Sequence, residues 1–276
     1  MKRTLFSIII VCLNPGVKLF ETFASIKKQT FRDFEVIVKD GCSADGSVVR
    51  LRAEEKDLLE SPVAPYLKIV SKKDAGIYDA MNQALSEADG EYILFLNCGD
   101  KLYDEKVLAK IAGIINESPD HGIYYGDTFC EKTGDLVAAP GKITGFTCYR
   151  NIPCHQACFC HRDMFEDKSF EPDYKIRADY DHFLYCFYRK GAMPKHAGIT
   201  VASYEGGGYS ESKENKQRDK TEHGIITREY MTKAEILRYK AAMTATLAPL
   251  RTHIADTPVL SGAYQHIKRT LYKICK

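Results

Sequence analysis

The chain has 276 residues, 45% hydrophobic and 28% charged, with a net charge of +2, which is enough apolar content for one large α/β domain with an appendage. No run approaches the roughly 18 apolar residues of a membrane span, and the short stretch Leu5 to Val11 behind Lys2 and Arg3 lacks the cleavage site of a secretory signal. Residues 211–276 hold 13 Lys and Arg against 7 Asp and Glu, so the tail is basic and the body mildly acidic, a distribution that argues against a nucleic-acid-binding body. The expected setting is the cytoplasm, where ten cysteines scattered beside apolar runs stay as buried free thiols.

In chain order, Leu5 to Val11 (LFSIIIV) reads as a buried strand closed by the turn Asn14-Pro15-Gly16. Leu19, Phe20, Phe23 and Ile26 repeat at helical spacing, and Phe34 to Val38 (FEVIV) is a second strand ending at Asp40-Gly41. Residues 47–59 predict a helix capped by Asp45 or Ser43, Leu67 to Val70 a third strand, and Ile77 to Ala88 a helix. Tyr92 to Leu96 is an unbroken apolar run of strand length, as a central parallel strand covered on both faces requires. Four strands separated by helices predict βαβ crossovers and a mostly parallel central sheet flanked by helices.

A helix over Val107 to Ile115 follows, with Asp104 as its cap. Beyond Asn116 the pattern becomes mixed and loop-rich. Short strands are expected at Gly122 to Asp127 and Leu136 to Ala138 around a turn at Glu131 to Asp135, at Gln156 to Cys160, and at His196 to Ala202; a helix is expected from Asp179 to Arg189. The charged run ESKENKQRDKTEH after Ser210 reads as a mobile loop, with helical segments near 225–247 and 261–274. The organisation expected is a domain over 1–210, divided near 116, and a basic helical extension over 211–276.

Acidic residues mark the strand ends. In open α/β sheets ligands bind outside the carboxyl ends of the strands, so Asp40, Asp74 and Asp100 can converge on one crevice. Asp100 follows the Asn97-Cys98-Gly99 turn, where Gly99 allows close backbone approach, and suits a divalent cation that fills its remaining positions with phosphate oxygens and water. A carboxylate only accepts hydrogen bonds; on a base edge Asp40 favours the N3-H of uracil or thymine, or the N1-H of guanine. Cys154, His155, Cys158, Cys160 and His161 crowd together but lack the two spaced pairs of a structural zinc site.

Several spaced motifs taken together resemble the family 2 glycosyltransferases of the GT-A fold. They are Ser7 to Val11 with Asn14, Gln29 to Glu35, Asp40 to Ser47, Asp74 to Asn82 (DAGIYDAMN), and Gly90 to Asp100 (GEYILFLNCGD). Cys154-His155-Gln156-Ala157, Ala178 to Asp181 and Gly206 to Ser210 are similar to the branch that builds bacterial exopolysaccharide and O-antigen chains.

The resemblance implies an inverting transfer from a nucleoside-diphosphate sugar, with uracil the favoured base, to a hydroxyl of a glycan or lipid-linked acceptor. Asn14, Asp40, Asp74, Asn82, Asn97 and Gly99 then fall on the donor side, and Asp100 holds Mg²⁺ or Mn²⁺ as the last acid of a DxD motif that here reads Asn97-Cys98-Gly99-Asp100, so that its first acid is missing and the metal rests on Asp100, water and phosphate. Asp179 matches the catalytic base, with Asp181 as the fallback and Ala178 where the family has Glu. His155 and Gln156 face the acceptor or a phosphate, and Gly207 and Ser210 belong to a glycine-serine motif near the donor phosphates. Segment 264–276, rich in Lys and Arg beside Ile267, Leu271 and Ile274, suits an interfacial helix on the inner face of the cytoplasmic membrane, near lipid-linked acceptors. Two alternatives stand beside this reading: a sugar-1-phosphate nucleotidylyltransferase, whose Gly-rich Arg-containing loop is missing after the first strand, and an inactive sugar-nucleotide-binding protein.

Overall fold

The computed structural model describes residues 4–59, 67–119, 121–207 and 215–245; the expected helix at 261–274, the lipid-contact segment 264–276 and Ser210 lie outside them. The chain divides into two compact units, Met1–Ile226 and Thr227–Lys276.

The first unit is built on β1 (Phe6–Cys12), β2 (Phe34–Asp40), β3 (Leu67–Ser71) and β4 (Tyr92–Phe95), which lie side by side in the order β3-β2-β1-β4, all parallel. Every residue of β1, β2 and β4 is buried, because helices cover both faces. On one side the even-numbered residues Phe6, Ile8 and Ile10 pack with Leu19, Phe23 and Ile26 of α1 (Lys18–Lys27) and with Leu108 and Ile111 of α4 (Val107–Glu117). On the other, Ile9, Val11 and Ile37 meet Tyr78, Met81 and Ala84 of α3 (Ile77–Leu85). α2 (Ser47–Leu59) starts where Asp45 Oδ1 accepts the Ser47 amide at 3.0 Å, and Asp104 Oδ1 likewise accepts the Lys106 amide ahead of α4.

β2 carries two buried charges, each satisfied by several partners. The Glu35 carboxylate accepts Ser7 Oγ at 2.5 Å and the amides of Asp89 and Gly90, tying β1 and β2 to the entry of β4. Lys39, with no exposed surface, donates to the carbonyls of Asp40 and Lys72 and to Asp74 Oδ2 at 2.9 Å. Such networks hold because each charge is fully hydrogen-bonded; removing one partner leaves an expensive orphan.

The second half extends the same sheet. β5 (Lys101–Leu102), β6 (Ile123–Cys130), β7 (Asp135–Val137), β8 (Cys158–His161) and β9 (Lys195–Tyr204) continue it from β4 in the order β8-β6-β9-β5, with β7 paired to β6. β8 is antiparallel to both neighbours. The expected strand at 156–160 begins instead with a single 3-10 turn, His155–Ala157, which takes His155 out of the sheet register. α5 (Gly145–Arg150), opened by a Thr144/Thr147 capping box, and α6 (Ala178–Tyr188) complete this half.

The charged run expected to be a loop is different in the structure: from Lys216 onward it is helix α7 (Lys216–Tyr230). In the second unit, α8 (Lys233–Ala245) is opened by Thr232 and Glu235, whose side chains bond each other's backbone amides at 3.2 and 2.9 Å.

His182 on α6 is 3% exposed, stacked on Phe165 at 4.2 Å, with Nε2 donating to the Met164 carbonyl at 3.1 Å. Burial pushes its pKa down to about 4. The unfolded chain protonates this ring near pH 6.5 and the folded protein only near 4, so stability falls as pH drops between those values, by roughly 3 kcal/mol in all. The expected result is that His182→Leu lowers the urea midpoint at pH 7 but loses most of this acid slope; an unchanged slope between pH 7 and 4.5 removes His182 as its source.

Candidate functional site

Because β2 and β3 lie on one side of β1 and β4 on the other, the strand order reverses between β1 and β4, and the loops after their carboxyl ends flank a crevice there. One loop begins at Leu13 and the other is the 97–100 turn.

At the β2 side of the crevice, Cys12 and Asp40 are paired across the sheet. Asp40 is 2% exposed, and its Oδ1 accepts the amide and the hydroxyl of Ser43 at 2.9 and 2.5 Å, leaving Oδ2 for a ligand. Asn14 stands with it: its backbone is left-handed (φ 48°), its amide donates to Ser43 Oγ, and its Oδ1 accepts the Ala44 amide. Asp74 forms the wall, held by Lys39 and by the Gly76 amide at 3.3 Å. A Cβ on Gly41 would come within 2.9 Å of Asp74 Oδ2 and 3.2 Å of a Leu13 methyl, so a larger residue there would have to displace the Asp74 carboxylate that Lys39 holds.

The 97–100 turn closes the other side. Gly99 has φ 102°, a conformation that favours glycine, and its amide donates to Thr22 Oγ1 at 2.8 Å. Lys18 lies across it, and its ammonium pairs with Glu205. Burial pushes the Asp100 carboxyl up to about 6, against the opposing influence of His155. Burial likewise raises the Cys12 thiol to about 12, with Cys98 and Asp40 both near enough to add to the effect. Cys12 therefore joins the Asp40 end to the 97–100 turn.

From that turn a polar chain runs to α6. Asn97 Nδ2 meets His155 Nε2 at 2.9 Å, His155 Nδ1 meets Asp179 Oδ2 at 3.2 Å, and Asp179 Oδ1 accepts the Tyr180 amide at 2.9 Å and the Tyr78 hydroxyl at 3.1 Å. The His155 and Asp179 side chains keep 27% and 21% of their surface exposed. Burial pulls the His155 pKa down, but the hydrogen bond and charge of Asp179, with the charge of Asp100, outweigh it and the net shift is upward. Burial pushes Asp179 up; His155, the Tyr180 amide and Tyr78 outweigh that and hold it below the ordinary carboxylate value. Asp179 is thus an anion at neutral pH. On one side of the pair, a cavity of about 30 Å³ among Phe95, Pro153, Phe170 and Phe183 has room for about one water.

The structure brings Asn14, Asp40, Asp74, Asn97, Gly99, Asp100, His155 and Asp179 to this one sheet edge. Asn82 is turned to a different partner: its Nδ2 donates to the Phe170 carbonyl at 2.7 Å and its Oδ1 accepts the Phe170 amide at 3.0 Å, so it secures that loop. Asp181 has no exposed surface and pairs with Lys168 at 2.8 Å, so the acid that faces the site is Asp179. Gln156 is 8% exposed on the turn beside His155. Gly207 follows β9 near Lys132.

The family model for glycosyl transferase family 2 matches residues 7–142. A "PGL/p-HBAD biosynthesis glycosyltransferase" of Mycobacterium bovis is 32% identical over 219 residues, which are 79% of this chain and 83% of that protein. The chain belongs to glycosyl transferase family 2.

The fold agrees with this glycosyltransferase assignment. Staphylococcus aureus TarS, residues 1–349 in complex with UDP, superposes with a TM-score of 0.65 at 17% identity, over 87% of this chain and 72% of that one. Against the longer TarS chain the overlap is 92% of this chain and 44% of TarS. The mannosyltransferase PcManGT of Pyrobaculum calidifontis, in complex with GDP-Man and Mn²⁺, gives 0.65 at 17% identity over 98% and 81%. The architecture is therefore GT-A, as the motifs imply.

A divalent cation, if bound, would find oxygen atoms at the 97–100 turn. Asn97 Oδ1 is buried without a hydrogen-bond partner, and the Asp100 carboxylate is raised by burial. Two oxygen donors fit a hard cation that keeps its other positions for phosphate and water. Among the described residues no group of three or more His, Cys, Asp or Glu is placed to hold a metal.

Sequence reasoning missed Tyr78 and the partners of His155. Tyr78 and Asn82 are four residues apart on α3 and reach residues 170–179 together, a spacing visible in DAGIYDAMN once the helix is recognised.

Proposed function

We propose that this glycosyltransferase inverts the anomeric centre of a nucleoside-diphosphate sugar, a UDP-sugar by preference, while transferring it to a hydroxyl of a glycan or lipid-linked acceptor in bacterial surface polysaccharide synthesis. The observation that carries the reading is the Asp179 carboxylate, ionised, part exposed and tied through His155 to the turn that bears Asp100. Asp179 takes the proton of the acceptor hydroxyl as that oxygen bonds to the anomeric carbon and the bond to the diphosphate breaks, which releases the nucleoside diphosphate and inverts the centre in one displacement. His155 and Tyr78 orient the carboxylate. Asp100 and Asn97 Oδ1 would hold the cation, Mg²⁺ or Mn²⁺, which when bound stabilises charge on the leaving diphosphate. Two structures of similar fold, one in complex with UDP and one with GDP-Man and Mn²⁺, are consistent with this donor class.

No helix among the described residues is long and apolar enough to cross a membrane. A cytoplasmic enzyme working at the membrane surface, with 1–210 as the transferase domain and 211–276 as a basic extension, is part of the same reading.

The base preference rests on Asp40. A thermal-shift screen of UDP, dTDP, GDP and CDP with Mn²⁺ is expected to give the largest stabilisation with UDP. Asp40→Asn should weaken UDP by roughly tenfold or more, because a hydrogen bond to a charged group is lost, and narrow the gap to CDP. Equal binding of all four nucleotides by the wild type removes the base-reading role.

A further inference from the structure

Asp219, Glu222, His223 and Ile226 share one face of α7 at spacings of three and four; Glu222 and Ile226 are buried and Asp219 and His223 half-buried, and Asp219, Glu222 and His223 meet residues 175–180 around Asp179. Glu222 is 6% exposed, and its carboxylate accepts three backbone amides: Lys175 at 2.9 Å on Oε1, and Ile176 at 3.0 Å and Arg177 at 2.9 Å on Oε2. Asp219 grips the Arg177 guanidinium through two bonds, at 2.7 and 3.0 Å. His223 stacks on the Tyr180 ring with centroids 5.3 Å apart and donates from Nε2 to the Tyr149 carbonyl. The two peptide groups flanking Ile176 are both held: its N–H donates to Glu222, and its carbonyl accepts the Tyr78 hydroxyl at 2.6 Å.

We infer that Glu222 is a positioning residue for the base: it fixes residues 175–177, from which α6 starts and Asp179 projects, and so sets where the Asp179 carboxylate lies. The inference rests on Asp179 being the base. The physical reason is that three N–H groups converge there and have no other acceptor among the described residues, and a buried donor without a partner drives the backbone to rearrange. A displacement of about 1 Å at a reacting group can cost on the order of 10²-fold in rate. Glu222 touches no reacting atom in this arrangement; it acts through the backbone it holds.

The test uses the full chain with Glu222→Gln, Glu222→Ala, Asp179→Asn, and the double variant Asp179→Asn/Glu222→Gln. Nucleotide release from UDP-, dTDP- and GDP-linked hexoses with Mn²⁺ gives kcat and KM, nucleoside-diphosphate titration counts the molecules able to bind donor, and hydrogen exchange follows the amides of 170–182. Gln keeps an oxygen for two of the three amides, so kcat per donor-binding molecule should fall about tenfold in Glu222→Gln and about a hundredfold in Glu222→Ala. KM for the donor should stay within twofold, exchange at 175–181 should quicken in the same order while β1, β2 and β4 do not change, and the double variant should be no slower than Asp179→Asn. If Glu222→Ala does not fold, Glu222→Gln alone carries the comparison. Wild-type kcat in Glu222→Gln with Asp179→Asn inactive overturns the inference and leaves the base in place, as does a loss confined to KM or melting temperature. Wild-type turnover in Asp179→Asn, or no nucleotide release from any donor by the wild type, overturns the reading on which Glu222 depends.

Discussion

Asp179→Asn should reduce transfer by between 10² and 10⁴-fold, the usual contribution of a positioned general base, while donor binding stays close to that of the wild type. Asn keeps the size of Asp and an oxygen for the Tyr180 amide and Tyr78 hydroxyl, so the helix start should survive. The carboxylate is lost, and with it the partner that raises His155. The His155 ring should therefore titrate at lower pH in the variant, which NMR of the ring protons can read without any substrate.

The sign of the pH effect follows from the two shifts. Asp179 lies below its unfolded value, so its contribution to stability is present above about pH 4 and is lost as pH falls through its folded value; His155 lies above its own, so its contribution is present below about pH 6.5 and is lost as pH rises through its folded value. The variant should lose both trends. Transfer that continues at the wild-type rate in Asp179→Asn, with donor still bound, eliminates Asp179 as base.

Asp100→Asn should abolish the Mn²⁺-dependent part of UDP binding and lower turnover on the order of 10²-fold or more, since charge stabilisation at a leaving diphosphate is worth several kcal/mol. The same change should stabilise the protein without donor. Burial raises the Asp100 carboxyl to about 6, so above that pH the folded state holds a carboxylate that the unfolded chain would hold at less cost, a penalty of roughly 2–3 kcal/mol that a neutral amide avoids. The opposite movement of melting temperature and activity separates a ligand residue from a merely structural one. UDP binding that is equally strong in chelator, for wild type and variant alike, counts against Asp100 as a cation ligand.

The parallel half of the sheet could be read from the chain because its signals are local. A parallel strand buried on both faces needs an unbroken apolar run, and LFSIIIV, FEVIV and YILFL are such runs. An acid just beyond each of two of them, and Gly41 and Gly99 at the turns, then mark the edge where ligands bind. What the chain does not disclose is which polar residues meet. Asn82 and Asp181 carry the same chemistry as Asn97 and Asp179, yet the fold uses the first pair for the Phe170 backbone and Lys168.

Helix α7 is the sharpest case. Asp219, Glu222 and His223 sit in a run so polar that it reads as solvated loop, because local periodicity registers apolar faces and misses a polar face buried against backbone amides. By itself the amino-acid sequence determined the parallel strands, the acids at their ends and the family to which they belong, since each follows from residues close together in the chain. Only the tertiary structure decided that His155 joins Asn97 to Asp179, and that a carboxylate on α7 holds the start of α6. Those contacts depend on loops that bring distant residues within 3 Å or so, and no local preference encodes that closure.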